Sequence, residues 1–356
     1  MDSQRSNHSR SRACGKGLPA QMVVCLCLVM ATIGSFSPAA RPQQPDKQQK
    51  EQQGFQIGVE VGLVTVPVTV RRPGGGFIKG LPQSAFRILE DGVEQEIILF
   101  AQEGVPTRIA IVLDSSGSVR SEWGSIKYAT RKFVEHLKPE DQFSLVTFNI
   151  ETRLKMDWGR KTDRLDAVLT SVYCKDKTNL WDALWVVSNE VFNDVPEKKA
   201  MIIMTDGLDN ASSVAYKEAL DAAVRSEAAA YVVSKTEAVR QMILYEQSAA
   251  GFYQSIPAEV FLQADLALRK LAHETGGRVL YPNSFGQLDN IYAEVDEELR
   301  NQYTLGYIST NKLKDGTYRR IQVAVAASDA LASARPGYYA AGEMPAYASP
   351  PNQRDR

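Results

Sequence analysis

Ile109-Ala-Ile-Val-Leu113, followed at once by Asp114-Ser-Ser-Gly-Ser118, is the stretch on which the fold turns. Apolar residues in an unbroken run, with no polar alternation, are what a strand buried on both faces of a sheet requires. The chain then turns polar within one residue, and Gly117 permits a tight backbone path. Trp123, Ile126, Ala129, Phe133 and Leu137 follow at helical spacing and predict a helix over 119–137. The same alternation continues downstream. Strands are expected over 143–148, 200–205, 231–233 and 278–281, with a short edge strand over 153–156. Helices are expected over 165–172, 180–192, 214–229, 264–275 and 288–299. Residues 234–262 read as an insertion, with an extra helix near 242–247. Alternating strands and helices build an α/β fold, here a Rossmann-like, doubly wound, mostly parallel sheet with helices on both faces. Ligands of such sheets sit at the carboxyl ends of the strands.

On either side of this block the period changes to that of strands. Val59, Val61, Val64, Val66, Val68 and Val70 alternate around one break, and Pro73-Gly-Gly-Gly76 and Glu90-Asp-Gly92 mark turns. After Arg300, Tyr303–Ile308 and residues 320–325 flank a turn at Lys314-Asp-Gly316. The expected organisation is one small β module built from 55–104 and 302–340, interrupted by the α/β domain over 105–301, with two separate β appendages as the alternative. Residues 40–54, rich in Gln, Lys and Pro, read as a flexible linker, and 341–356 as a loose tail. Residues 1–39 pair a basic stretch (Arg5, Arg10, Arg12, Lys16) with an apolar run over 22–36 and small residues at Ser37-Pro-Ala-Ala40. That is the layout of a signal peptide, and the run falls short of the roughly 20 residues that span a bilayer. The protein is therefore expected to be exported, periplasmic or secreted; left uncleaved, the segment would anchor it to the inner membrane. Cleavage would remove Cys14, Cys25 and Cys27, leaving Cys174, which cannot form an internal disulfide and reads as a partly buried apolar residue.

The chain of 356 residues carries 41 Lys+Arg against 42 Asp+Glu, a net charge of -1. The first 39 residues hold +3 of it, so the remainder is mildly acidic, near -4. Neither figure fits a nucleic-acid binder, and a mean hydropathy of -0.26 excludes a polytopic membrane protein. Three histidines, no Gly-x-Ser-x-Gly elbow and no phosphate-binding glycine loop weigh against the common enzyme chemistries. Three strand ends do carry chemistry. Asp114, Ser116 and Ser118 alternate along an extended turn and can aim their oxygens at one point. Thr205-Asp206-Gly207 follows another buried strand in the same way, and Thr178, ahead of a helix, can supply a loop oxygen. Hard oxygens with only two carboxylates suit Mg²⁺; Mn²⁺ fits about as well, and Ca²⁺ usually takes more oxygens. Asp182 and Asp209 lie near these loops, with Asp209 either tuning the ion or simply solvated.

At these residues the sequence resembles the von Willebrand factor type A (VWFA) domain family, whose metal-ion-dependent adhesion site has the pattern Asp114-x-Ser116-x-Ser118, Thr178 and Thr205-Asp206-Gly207. The whole chain is similar to the bacterial VWFA-related domain proteins, through Phe86-Arg-Ile-Leu-Glu-Asp-Gly92, Thr275-Gly-Gly-Arg278, Leu299-Arg-Asn-Gln-Tyr303 and Arg335-Pro-Gly-Tyr338. The resemblance implies direct ligation by Ser116, Ser118 and sometimes Thr178, with Asp114 and Asp206 acting largely through water. It also implies an open position for an Asp or Glu of an unknown protein partner. The expected function is non-enzymatic interaction or adhesion. Two alternatives stay open: a metal-dependent hydrolase, and a passive envelope scaffold with a vestigial site. Neither a nucleic acid nor a small-molecule substrate is expected as partner.

Overall fold

The computed structural model describes residues 62–102, 105–160, 163–175, 177–235 and 257–342. The expected signal peptide, the linker, the extra helix near 242–247 and nearly all of the tail lie outside the described residues. Four strands come first: β1 (Leu63–Arg71), β2 (Phe86–Glu90), β3 (Val93–Gln95) and β4 (Ile97–Ala101). The α/β block runs β5 (Thr107–Asp114), α1 (Trp123–His136), β6 (Gln142–Phe148), β7 (Thr152–Gly159), α2 (Leu165–Thr170), α3 (Leu180–Val186), β8 (Lys198–Thr205), α4 (Tyr216–Arg225), β9 (Ala229–Ser234), α5 (Ala258–Thr275), β10 (Arg278–Leu280) and α6 (Leu288–Asn301). Strands β11 (Tyr303–Ile308), β12 (Tyr318–Val325), β13 (Leu331–Ser333) and β14 (Gly337–Tyr339) follow.

The central sheet has the order β10-β9-β8-β5-β6-β7. Its pairs are parallel except β6 with β7. The chain enters at β5 in the middle, winds outward through β6 to β7, then returns to β8 on the other side and continues to β10. Strands β5 and β8 therefore flank the switch point, where connections leaving in opposite directions open a crevice at the carboxyl ends. Register pairs Leu113 with Met204, so Asp114 and Thr205 leave the sheet side by side. Ile109, Ile111 and Leu113 pack with α1, α2 and α6, whereas Ala110 and Val112 pack with α3, α4 and α5. This is the doubly wound α/β fold that the unbroken apolar run requires.

Some element bounds differ from expectation. Residues 117–119 form a separate single turn and α1 begins only at Trp123. Helix α5 begins at Ala258, six residues before the expected start, because Phe261 extends the buried helical row of Ala264, Leu268 and Leu271, and the extended Pro257 ahead of it sets the boundary. Strand β7 is twice as long as expected, since its residues, three exposed and five half-buried, carry little apolar alternation.

Two four-stranded antiparallel sheets, β13-β1-β11-β4 and β14-β12-β2-β3, each combine strands from both ends of the described chain. Their shared core holds Val64, Val66, Val68, Val70, Phe86 and Ile88 against Tyr303, Leu305, Tyr307 and Ile321. The module meets the α/β block at the amino ends of its strands. Glu298 of α6 accepts from Thr69 (3.2 Å), Arg71 (2.6 Å) and Arg278 (2.5 Å), and Arg335 donates to Glu227 just before β9 (2.9 Å). Strand carboxyl ends lie at the opposite pole, away from this module. Among the described residues no helix is long and apolar enough to cross a membrane.

Candidate metal centre

Asp114, the last residue of β5, is fully buried. Its Oδ1 accepts the Ser116 backbone N–H at 2.8 Å, which bends the chain into the turn, and its Oδ2 accepts the Thr205 hydroxyl at 3.3 Å. The turn brings Ser116 Oγ and Ser118 Oγ to 2.9 Å. Ser118 in turn donates to Asp206 Oδ2 at 3.2 Å, across from one strand end to the other. Asp206 is held by the Leu208 N–H on its Oδ1 at 3.1 Å. Gly207 has φ +78, and a Cβ there would lie 2.9 Å from Leu268 of α5, so both conformation and space call for glycine. Asp114, Ser116, Ser118 and Asp206 thus form one hydrogen-bonded oxygen cluster at the switch point. Thr178 is buried on the adjoining loop and is tied in through its backbone. Its N–H donates to Asn210 Oδ1 at 2.9 Å, and its carbonyl accepts from the N–H groups of Asn210 and Ala211.

Burial pushes the Asp114 carboxyl above the ordinary carboxylate range; the Lys235 ammonium opposes that shift and the nearby Asp206 adds to it. Lys235 is a residue the strand-end reading did not single out. It directly follows β9, and its backbone N–H donates to the Thr205 carbonyl at 3.1 Å. The side chain, only 3% exposed, puts Nζ 3.7 Å from Asp206 Oδ2. Asn149 was missed as well. Its amide donates to Ser115 Oγ (3.0 Å) and to the Tyr173 carbonyl (3.3 Å), bracing the β5 turn from the β6 side. A polar residue directly after an apolar strand was the available signal for both.

The other candidates have local roles. Asp182 caps the chain before α4, accepting from the N–H groups of Ser213 and Val214 at 2.8 Å each. Asp209 is not a freely solvated acid, because it accepts from Ser212 Oγ, whose oxygen receives the Trp181 and Asp182 N–H groups. His136 and His273 lie exposed in the last turns of α1 and α5. Burial pushes the Cys174 thiol up, away from thiolate reactivity.

The sequence profile of the von Willebrand factor type A domain matches residues 109–294, more than half of the chain. The chain belongs to this family. Among solved structures, VWA-type folds resemble it at low identity. Proximal thread matrix protein 1 from the mussel byssus, with a zinc-occupied MIDAS motif, is 18% identical, with a TM-score of 0.42 over 59% of this chain and 49% of that one. The chain thus spans about half the length of the mussel protein. The vWF domain of the type V pili tip protein Mfa5 from Porphyromonas gingivalis is 12% identical (TM-score 0.41, 59% of this chain and 98% of that one). A von Willebrand factor type A protein from Catenulispora acidiphila is also 12% identical (TM-score 0.44, 79% and 73%). No curated protein sequence matches significantly.

The residues of this VWA domain fit a hard divalent ion. Neighbouring corners of an octahedron with metal–oxygen bonds near 2.1 Å are about 3.0 Å apart. Ser116 Oγ and Ser118 Oγ, 2.9 Å apart, are spaced as neighbouring corners of such a shell, and Asp206 Oδ2 lies 3.2 Å beyond Ser118 Oγ.

Proposed function

We propose that this VWA domain is an exported, non-enzymatic interaction module that takes up an acidic side chain of a protein partner through a divalent cation. Ser116, Ser118 and Thr178 are the proposed direct ligands, and Asp114 and Asp206 act mainly through water. Mg²⁺ is the expected ion and Mn²⁺ the alternative. The observation that carries this reading is the oxygen cluster joining the ends of β5 and β8, in which Ser118 Oγ lies 2.9 Å from Ser116 Oγ and 3.2 Å from Asp206 Oδ2. A hard cation bound there supplies the positive charge that attracts a carboxylate.

The chain's own residues organise the site. Asp114 fixes the turn through the Ser116 N–H, and Thr205 ties that carboxylate to the neighbouring strand. Half-exposed Ser118 forms the solvent side of a cluster whose other members are buried. The bonding of the serines argues against a serine nucleophile, and hydrolysis by a metal-activated water is decided by the turnover assay below. A nucleophilic serine is activated by a base such as imidazole, whereas these hydroxyls bond each other and a buried carboxylate. Export rests on the sequence of residues 1–39.

Calorimetry of the purified chain with Mg²⁺ and Mn²⁺, beside Ser116→Ala and Asp206→Ala, tests the metal. Binding heat is expected in the wild type and its loss in both variants; a wild type without heat refutes the metal reading. A pull-down from envelope extract, with Mg²⁺ or with chelator, tests the partner, which should be retained only with the ion. Chelator-sensitive turnover of an ester or phosphate would overturn the non-enzymatic reading.

A further inference from the structure

The buried ammonium of Lys235 has no place in the proposed ligand set. An ammonium carries three donors, and burying one without hydrogen bonds is costly unless an opposite charge offsets it. Among the described residues the Lys235 Nζ makes no hydrogen bond. What it faces is the acidic site: Asp206 Oδ2 lies 3.7 Å away, with both side chains 3% exposed. The main chain aims it there, since the N–H bond from Lys235 to the Thr205 carbonyl continues the ladder between β8 and β9 by one residue. Lysine therefore stands at the third of three adjacent strand ends, after Asp114 of β5 and Thr205-Asp206 of β8.

Resting on the metal reading above, we propose that Lys235 is a resident cation of this site, which holds the acidic pair when no metal is bound and opposes entry of a divalent ion. Two positive centres then compete for the Asp206 carboxylate. The wild-type site fills only at a higher metal concentration than its oxygen ligands alone would need. Lys235 is a positioning and specificity residue here, not a ligand, and its charge sets the threshold for loading.

The test is calorimetric titration of the full chain with Mn²⁺ for the wild type, Lys235→Met and Lys235→Gln, with circular dichroism recorded with and without Mn²⁺. Both neutral variants should bind Mn²⁺ at least about tenfold more tightly than the wild type. Variants that fold only when Mn²⁺ is present support the proposal equally, because the ion then does the work of the ammonium. Folded variants with unchanged or weaker affinity overturn it while leaving the metal reading intact. Variants that stay unfolded even with Mn²⁺ make Lys235 a purely structural counter-charge and also overturn it. If folded wild type and folded variants all bind no Mn²⁺, the metal reading itself fails.

Discussion

Replacing Asp206 by Asn in metal-free protein distinguishes two electrostatic pictures of the site by the sign of its effect. If repulsion between Asp114 and Asp206 dominates, removing one charge should stabilise the fold. If the Lys235 ammonium is the main neighbour, removal strands a buried cation. At 3.7 Å and an effective dielectric near 20, the attraction between Lys235 and Asp206 is about 4 kcal/mol. Both groups are nearly fully buried, so solvent screening takes little from that figure. The absence of a hydrogen bond from Nζ among the described residues keeps the pair below the about 3–5 kcal/mol lost when a well-bonded buried ion pair is broken. Relief of the repulsion from Asp114 subtracts more. Asp206→Asn should therefore destabilise the metal-free chain by about 2–3 kcal/mol, measured by urea unfolding in chelator. Lys235→Met should cost a comparable amount, and the double variant clearly less than the two single costs together, giving a coupling of about 2 kcal/mol. A stabilising Asp206→Asn, or single costs that simply add, would refute the placement of the ammonium in the acid site.

Three further outcomes follow from other parts of the molecule. Glu298→Ala removes the acceptor of Thr69, Arg71 and Arg278 where the β module meets the α/β block; the loss should be about 3 kcal/mol in urea unfolding, and one below about 1 kcal/mol would mean the cluster is solvated. Lys198 at the start of β8 is pushed down to about 8, chiefly by burial, with its ammonium against the Leu299 carbonyl at 2.8 Å. Its folded pKa lies below the ordinary 10.5, so between pH 8 and 10.5 the folded chain binds fewer protons than the unfolded one. Stability should rise with pH across that window by up to about 3 kcal/mol, and Lys198→Met should flatten the rise and be the more stable protein at pH 7. Gly207→Ala places a Cβ 2.9 Å from Leu268 at φ +78, so a loss of about 1–3 kcal/mol with weaker Mn²⁺ binding is expected; wild-type Mn²⁺ affinity would show that the turn does not position Asp206.

The sheet was legible because burial on two faces leaves a strong trace. The five residues Ile109–Leu113 have no polar member, and each is at most 1% exposed. Less of β7 could be read. An edge strand with exposed Arg153, Leu154 and Asp157 has no need to alternate, and its reversed direction comes from a tight turn at Asn149, whose N–H bonds the Glu151 carbonyl. Helix α5 started early for a related reason. Among its first six residues only Phe261 is buried, so the apolar row is too sparse there to announce a helix. The covering of the β module was visible in the valine alternation of β1, where Val64, Val66, Val68 and Val70 face the module's core. Thr69, on the other face, is buried against Glu298, and no period-two pattern signals a partner more than two hundred residues away.

For the site, the informative rule was that polar residues directly after a buried apolar strand arrive at the crevice of a doubly wound sheet. Applied to β5 and β8 as a search for oxygen ligands, it found Asp114, Ser116, Ser118 and Asp206, and the structure brings these four together. Applied without that chemical filter, the rule reaches Asn149 after β6 and Lys235 after β9. Both lie at the same edge, one bracing the Ser115 hydroxyl through its amide and the other facing Asp206. A metal-centred reading discards a lysine because an ammonium cannot ligate a cation, yet the same charge that disqualifies it as a ligand makes it a competitor for the carboxylate. Strand ends in such a sheet are better read by position first and by charge of either sign second, since the field a cation meets is the sum over all of them.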